Sequence, residues 1–194
     1  MVTRLAILAS GNGTNALRIM EHFASHPEIR VEMVFCNNPK AMVIERAGKM
    51  KVPVFLFDRH DLYETNHVLD TLTVQGIDWI ILAGFLWLIP RSILLQYPNR
   101  IINIHPALLP KYGGKGMYGM KVHETAIRNG DSESGITIHF VNEQYDEGQV
   151  IFQATCPVLP QDTPEMLADR IHGLEHAHFP VVIEQIVGSR QSAD

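Results

Sequence analysis

Leu5-Ala6-Ile7-Leu8-Ala9-Ser10-Gly11-Asn12-Gly13-Thr14-Asn15 is a continuous apolar run that breaks into a polar turn carrying two glycines. Behind it Ala16, Leu17, Ile19, Met20 and Phe23 recur at helical spacing. A strand covered on both faces has such an unbroken run, so the unit reads as strand, glycine loop, helix, the opening of a parallel sheet. The loop would set N–H groups at a helix N-terminus, where the helix dipole also favours an anion. That makes it a phosphate cradle in one reading and a purely structural tight turn in the other.

Outward from this unit the rhythm repeats. Val31-Glu32-Met33-Val34-Phe35-Cys36 reads as a second strand, Ala41 to Met50 as a helix, Val54-Phe55-Leu56 as a short strand and Leu62 to Val74 as a helix. Trp79-Ile80-Ile81-Leu82-Ala83-Gly84 is the most strand-like run and is expected at the centre of the sheet. Gly11-x-Gly13-x-x-Ala16 matches a relaxed dinucleotide fingerprint, but Asn37-Asn38 stand where a ribose-binding acid would end the second strand. A nicotinamide cofactor is therefore not expected. No Lys-Ser or Lys-Thr follows the glycines, and Gly114-Lys115 is followed by Gly116, so neither stretch is a Walker loop.

A second stretch carries the chemistry: Ile101-Ile102-Asn103-Ile104-His105-Pro106, then Ala107-Leu108-Leu109-Pro110-Lys111-Tyr112. Alternate strand residues share a face, so Asn103 and His105 can converge while Ile104 points the other way, and Pro106 ends the strand. An amide N–H beside an imidazole suits a developing oxyanion, and Asp146 of Gln144-Tyr145-Asp146-Glu147-Gly148 could fold back to bias the histidine or hold a proton-carrying water. The plain alternative is that Asn103 and His105 satisfy backbone groups and Asp146 sits in a turn. Gly135 to Val141 and Gln149 to Pro157 alternate as an antiparallel hairpin, and Thr163-Pro164-Glu165 opens a last helix that runs to about Val187. The stretch from Tyr112 to Met120 is a glycine-rich loop, either a lid or a long connection.

These units together predict one open, mostly parallel twisted α/β sheet with helices on both faces, a C-terminal antiparallel hairpin and a long C-terminal helix. Ligands are then expected at the carboxyl ends of the strands. With 194 residues, 46% hydrophobic and 19% charged, residues 1–194 read as one domain. Its N-terminal half, to about residue 100, is expected to take a phosphate, and residues 101–194 to carry the reaction. A net charge of −5 without any Lys/Arg run argues against nucleic acid, and no apolar run reaches the ~20 residues of a membrane span. Cys36 and Cys156 lie apart in apolar runs, as buried reduced thiols of a cytoplasmic protein. His172-Gly173-Leu174-Glu175-His176 matches an inverted zinc motif. Little chain remains to supply a further ligand, so no metal is expected, while Glu175 could still reach the rim as a lone carboxylate.

Ser10 to Asn15, Leu82-Ala83-Gly84-Phe85, Asn103 to Tyr112, Gly135 to Val141, Asp146-Glu147-Gly148 and Glu175-His176 together resemble the folate-dependent formyltransferases, nearly end to end. The glycine loop points within them to the members that formylate a ribonucleotide in purine synthesis. The resemblance implies a Rossmann-like formyltransferase fold. It also implies direct transfer of a formyl group from 10-formyltetrahydrofolate, the co-substrate, to the amine of 5'-phosphoribosylglycinamide, through a tetrahedral intermediate. Asn103, His105 and Asp146 would be catalytic. Gly11, Asn12, Gly13, Thr14, Asn15 and Glu175 would hold the ribonucleotide. Leu86, Trp87, Leu88, Asn103, Val141, Asn142, Glu143, Gln144, Tyr145 and Asp146 would form the folate pocket. The expected partners are these two small molecules, and a homodimer is allowed but not required. Three departures stand out: Leu86-Trp87 where many relatives have Met-Arg, Ala107 in place of a common serine, and a longer loop from Gly113 to Met120. The alternatives are a 10-formyltetrahydrofolate hydrolase, expected to carry a further domain in front, a tRNA formyltransferase, expected to carry one behind, and a non-catalytic folate- or nucleotide-binding module.

Overall fold

A computed structural model describes residues 2–191. The opening apolar run is β1 (Thr3–Ala9), and its side chains alternate between two cores, Leu5, Ile7 and Ala9 on one face and Ala6 and Leu8 on the other. All five are fully buried. Burying one Leu or Ile stabilises the fold by roughly 1.5–3 kcal/mol, which is why this strand has no polar side.

The chain continues as α1 (Thr14–Phe23), β2 (Ile29–Cys36), α2 (Val43–Lys49), β3 (Val54–Leu56), α3 (Arg59–Tyr63), α4 (His67–Val74), β4 (Trp79–Leu82), α5 (Arg91–Gln96) and β5 (Ile101–His105). It ends with α6 (Met120–Arg128), β6 (Glu133–Phe140), β7 (Val150–Pro157) and α7 (Pro164–Gln191). The strands form one sheet in the order β3-β2-β1-β4-β5-β6-β7. Pairing is parallel from β3 to β5 and antiparallel from β5 to β7, and β4 lies in the middle as expected. One core joins the sheet to α1, α2, α6 and α7, and the other joins it to α3, α4 and α5.

Three expectations change. The single helix from Leu62 to Val74 is two helices. Asp58 and Asp61 form a reciprocal capping box on α3, and the His67 N–H and ring then bind Thr65 Oγ1 and Asp61 at 3.2 and 3.0 Å, so the chain turns and restarts. α5 and α6 arise where only connections were read. α6 follows Gly119 directly and buries Val122, His123 and Ala126 on one face, a 3-and-4 spacing hidden by the glycines in front of it. The last helix continues past Val187 to Gln191 and runs through Pro180.

Candidate active site

β5 is the last parallel strand and the first antiparallel one, and its exit faces the exits of β1 and β4 across a cavity of about 670 Å³. Asn103 and His105 share a face of β5, and both line this cavity together with Asp146. The His105 ring is buried, and its Nε2–H donates to the Tyr112 carbonyl at 2.7 Å. The other ring nitrogen, Nδ1, therefore faces Asp146, 3.5 Å from Oδ2. That same oxygen accepts from the Gly114 N–H at 3.0 Å, so the glycine-rich loop is tied to the carboxylate. Asp146 adopts a left-handed conformation, φ 58°, which turns its side chain back onto the strand end.

Lys111 and Tyr112 are anchors. Lys111 Nζ and the Tyr112 hydroxyl both bind the Asp131 carboxylate, at 2.6 and 2.8 Å, fixing the segment whose carbonyl holds His105. Thr137, fully buried on β6, donates to the Ala107 carbonyl at 2.6 Å and accepts from the Leu109 N–H at 2.9 Å. It holds the chain as it leaves the strand. The sequence reading missed His139. It pairs directly across from Asn103, and its Nε2 accepts from Asn103 Nδ2 at 3.0 Å and lies 3.7 Å from Asp146 Oδ1. The alternation of Gly135 to Val141 would have put His139 on the same face as Thr137, but only the strand pairing sets it opposite Asn103.

The far end of the cavity is lined by Gly11, Asn12, Gly13, Thr14, Asn15 and Glu175. Gly13 is left-handed at φ 72°, and a Cβ there would lie 2.5 Å from the Val43 side chain, so this position needs glycine twice over. It starts α1 without a side-chain cap, leaving the end of the helix to the cavity. Arg46 of α2 braces the loop by donating to the Asn12 carbonyl and side chain at 2.8 and 3.0 Å. Asn15 Nδ2 donates to Glu175 Oε2 at 2.9 Å, while the buried Asn15 Oδ1 has no hydrogen-bond partner among the described residues. Burial pushes the Glu175 carboxyl above its usual range, and the Asn15 bond opposes this. The phosphate and carboxylate candidates thus meet in the same cavity as the Asn-His-Asp group.

The folate candidates divide. Leu86, Asn103, Tyr145 and Asp146 line the cavity; Trp87, Leu88, Val141, Asn142, Glu143 and Gln144 lie outside its wall. Trp87 instead joins Phe57, Tyr63 and Phe85, with the Arg59 guanidinium 4.7 Å above its ring. Val141 packs on the second core. The cavity wall also takes His123 and His172, which the sequence reading did not select. His123 is buried, and that burial, helped by the nearby His172 and His105, lowers its pKa to about 4. His172 and His176 stack their rings on α7, and no cluster of metal-ligating side chains occurs among the described residues. Cys36 and Cys156 are both buried and free.

Residues 3–183 match the family model described as formyl transferase. The chain is 39% identical to the chloroplastic phosphoribosylglycinamide formyltransferase of Arabidopsis thaliana, over 96% of its own length and 66% of that protein's. It is 36% identical to the phosphoribosylglycinamide formyltransferase of Bacillus subtilis, over 95% of each chain. It spans 62% of the chloroplastic relative from Vigna unguiculata. Among solved structures, glycinamide ribonucleotide transformylase 1 from Geobacillus kaustophilus superposes with a TM-score of 0.86 at 39% identity, covering 96% of this chain and 99% of that one. A matched sheet that changes from parallel to antiparallel at the strand carrying Asn103 and His105, and a family match over nearly the whole chain, lead to one conclusion: the chain belongs to the formyl transferase family.

Proposed function

We propose that this chain transfers the formyl group of 10-formyltetrahydrofolate to the amine of 5'-phosphoribosylglycinamide. The products are formylglycinamide ribonucleotide and tetrahydrofolate, and the step belongs to de novo purine synthesis. The observation that carries this reading is one continuous cavity that joins the Asn103, His105 and Asp146 cluster to an uncapped helix N-terminus and a buried carboxylate. The named relatives point the same way.

In this reading the ribonucleotide phosphate sits against the backbone of Gly11 to Asn15, and Glu175 receives its sugar or glycinamide end. The amine lone pair attacks the formyl carbon, a C–N bond forms and the carbonyl electrons move onto oxygen. Asn103 Nδ2 and a protonated His105 Nδ1 donate to that oxyanion. Asp146, beside His105 Nδ1, supports the imidazolium and holds a water that carries the amine proton toward N10 of the folate. The C–N10 bond then breaks and tetrahydrofolate leaves. Leu86 and Tyr145 form the folate side of the cavity, and Trp87 supports that wall from behind. The buried thiols fit a cytoplasmic setting, and no helix among the described residues is long and apolar enough to cross a membrane.

Spectrophotometric loss of the 10-formyl folate, run with and without glycinamide ribonucleotide, tests this. Turnover that requires the ribonucleotide and collapses in Asp146→Asn is the expected result. Equal consumption without it would make the chain a hydrolase and leave the glycine loop without a role. Binding without turnover would leave a carrier module.

A further inference from the structure

His139 takes no part in the proton transfers above, yet it is buried at the centre of the site and makes two directional hydrogen bonds. A carbonyl oxygen can only accept, so the 2.8 Å contact to the Phe140 carbonyl requires a proton on Nδ1. An amide nitrogen can only donate, so the 3.0 Å contact with Asn103 Nδ2 requires a bare lone pair on Nε2. Both conditions hold only for the neutral Nδ1–H tautomer. We infer that His139 is a positioning residue: its Nδ1–H tautomer, locked by the Phe140 carbonyl, captures one N–H of Asn103 and thereby aims the second N–H at the formyl oxygen.

Three further observations support this. First, Nε2 lies 3.7 Å from Asp146 Oδ1, and Asp146 Oδ2 lies 3.5 Å from His105 Nδ1, so the captured amide nitrogen is held on the side of Asn103 that faces the other two groups. Second, a reversed amide would present oxygen to Nε2 and require a proton on both ring nitrogens. Burial lowers the His139 pKa and disfavours that cation; the neighbouring His105 adds to the effect, and the Phe140 carbonyl and Asp146 oppose it. His105 and Asp146 are the titratable groups that face the ring. Third, any Cβ at Gly148 would collide with the Phe140 carbonyl oxygen and come within 3.4 Å of His139 Nδ1. The glycine of Asp146-Glu147-Gly148 is thus needed for the carbonyl that sets the tautomer, and the aspartate two residues earlier completes the site.

This inference rests on the formyl-transfer reading, so its test separates the two. The tautomer is read without turnover, from two-bond proton–nitrogen correlations of the 15N-labelled full chain near pH 7.5, where His139 is expected as Nδ1–H. The kinetic arm measures ribonucleotide-dependent formyl transfer by the unaltered chain, His139→Ala, His139→Gln, Asn103→Ala and the double variant His139→Ala/Asn103→Ala. His139→Ala should lower kcat by about tenfold to 100-fold, with KM for both substrates little changed. His139→Gln, whose side-chain oxygen can still accept from Asn103, should recover most of that loss. In the Asn103→Ala background the same His139→Ala change should cost less than about twofold, because its only route to the reaction is gone. An Nε2–H tautomer, an unchanged kcat in His139→Ala, or a loss that persists undiminished in the Asn103→Ala background would overturn the inference. Should His139→Ala fail to fold, the tautomer and His139→Gln decide it. No ribonucleotide-dependent turnover by the unaltered chain would instead overturn the transfer reading, while the tautomer measurement still stands by itself.

Discussion

The two ends of the cavity are built from different materials. At the strand end, β5 and β6 carry Asn103, His105 and His139 on one face, and nearly every polar atom that matters is a side chain held by another residue: His105 by Tyr112, Asn103 by His139, Asp146 by Gly114. At the helix end the cavity is lined by the loop from Gly11 to Gly13 and the first turn of α1, whose uncapped backbone is the proposed phosphate site, with Glu175 and Asn15 as its side-chain pair. A side-chain network fixes where a charge develops during reaction, whereas a row of backbone amides recognises a charge already present. Substitution should therefore act on the rate at one end and on affinity at the other.

The largest expected effect tests the strand end. Asn103→Ala or His105→Ala removes one preorganised donor and should lower kcat by about 10²–10³-fold. Titration calorimetry of glycinamide ribonucleotide onto the same variants should show its affinity nearly unchanged. A large drop in ribonucleotide affinity would mean that the two ends are not separable. A smaller and opposite pattern is expected at the helix end. Glu175→Ala removes a buried acceptor and should raise KM for the ribonucleotide by about tenfold to 100-fold, the range of a hydrogen bond to a charged group. Its kcat should stay close to that of the unaltered chain; an equal fall in kcat would place Glu175 in the chemistry rather than in binding.

The same contrast explains how much was legible in the sequence. β1, its glycine loop and α1 were readable because a fully buried strand is a continuous apolar run, and the left-handed Gly13 sits where the loop turns into the helix. Asn103, His105 and the strand that carries them were readable from alternation within five residues. His139 was not, because it matters only through its pairing with Asn103, and cross-strand register is a long-range property. α6 was hidden for a related reason, since three glycines with positive φ lead into it and mask a short amphipathic pattern. The resemblance put Trp87 in the folate wall; its ring packs against Phe57 and Tyr63, contacts that no local pattern encodes.

The smallest effect sets two buried groups of the cavity, His123 and Glu175, against each other by sign. Unfolded histidine titrates near 6.5, while burial against the cavity, helped by the charges of His172 and His105, lowers folded His123 to about 4. Between those values the unfolded chain binds the extra proton, so stability is present above pH 6.5 and is lost as the pH falls toward 4. If fully expressed, the shift corresponds to about 2 kcal/mol between pH 7.5 and pH 5; water in the adjoining cavity screens the charge, which leaves on the order of 1 kcal/mol. His139, whose pKa burial also lowers, adds in the same direction. Glu175 works the other way. Burial raises its pKa, so the folded chain takes up a proton before the unfolded one does, and acidification through that range favours folding. Urea unfolding at pH 7.5 and pH 5 should therefore show a smaller loss of stability on acidification in His123→Gln than in the unaltered chain, and a larger loss in Glu175→Gln. Parallel shifts in both variants would mean that the acid response arises elsewhere, in surface groups such as Glu184 beside His22, and not in these two buried groups.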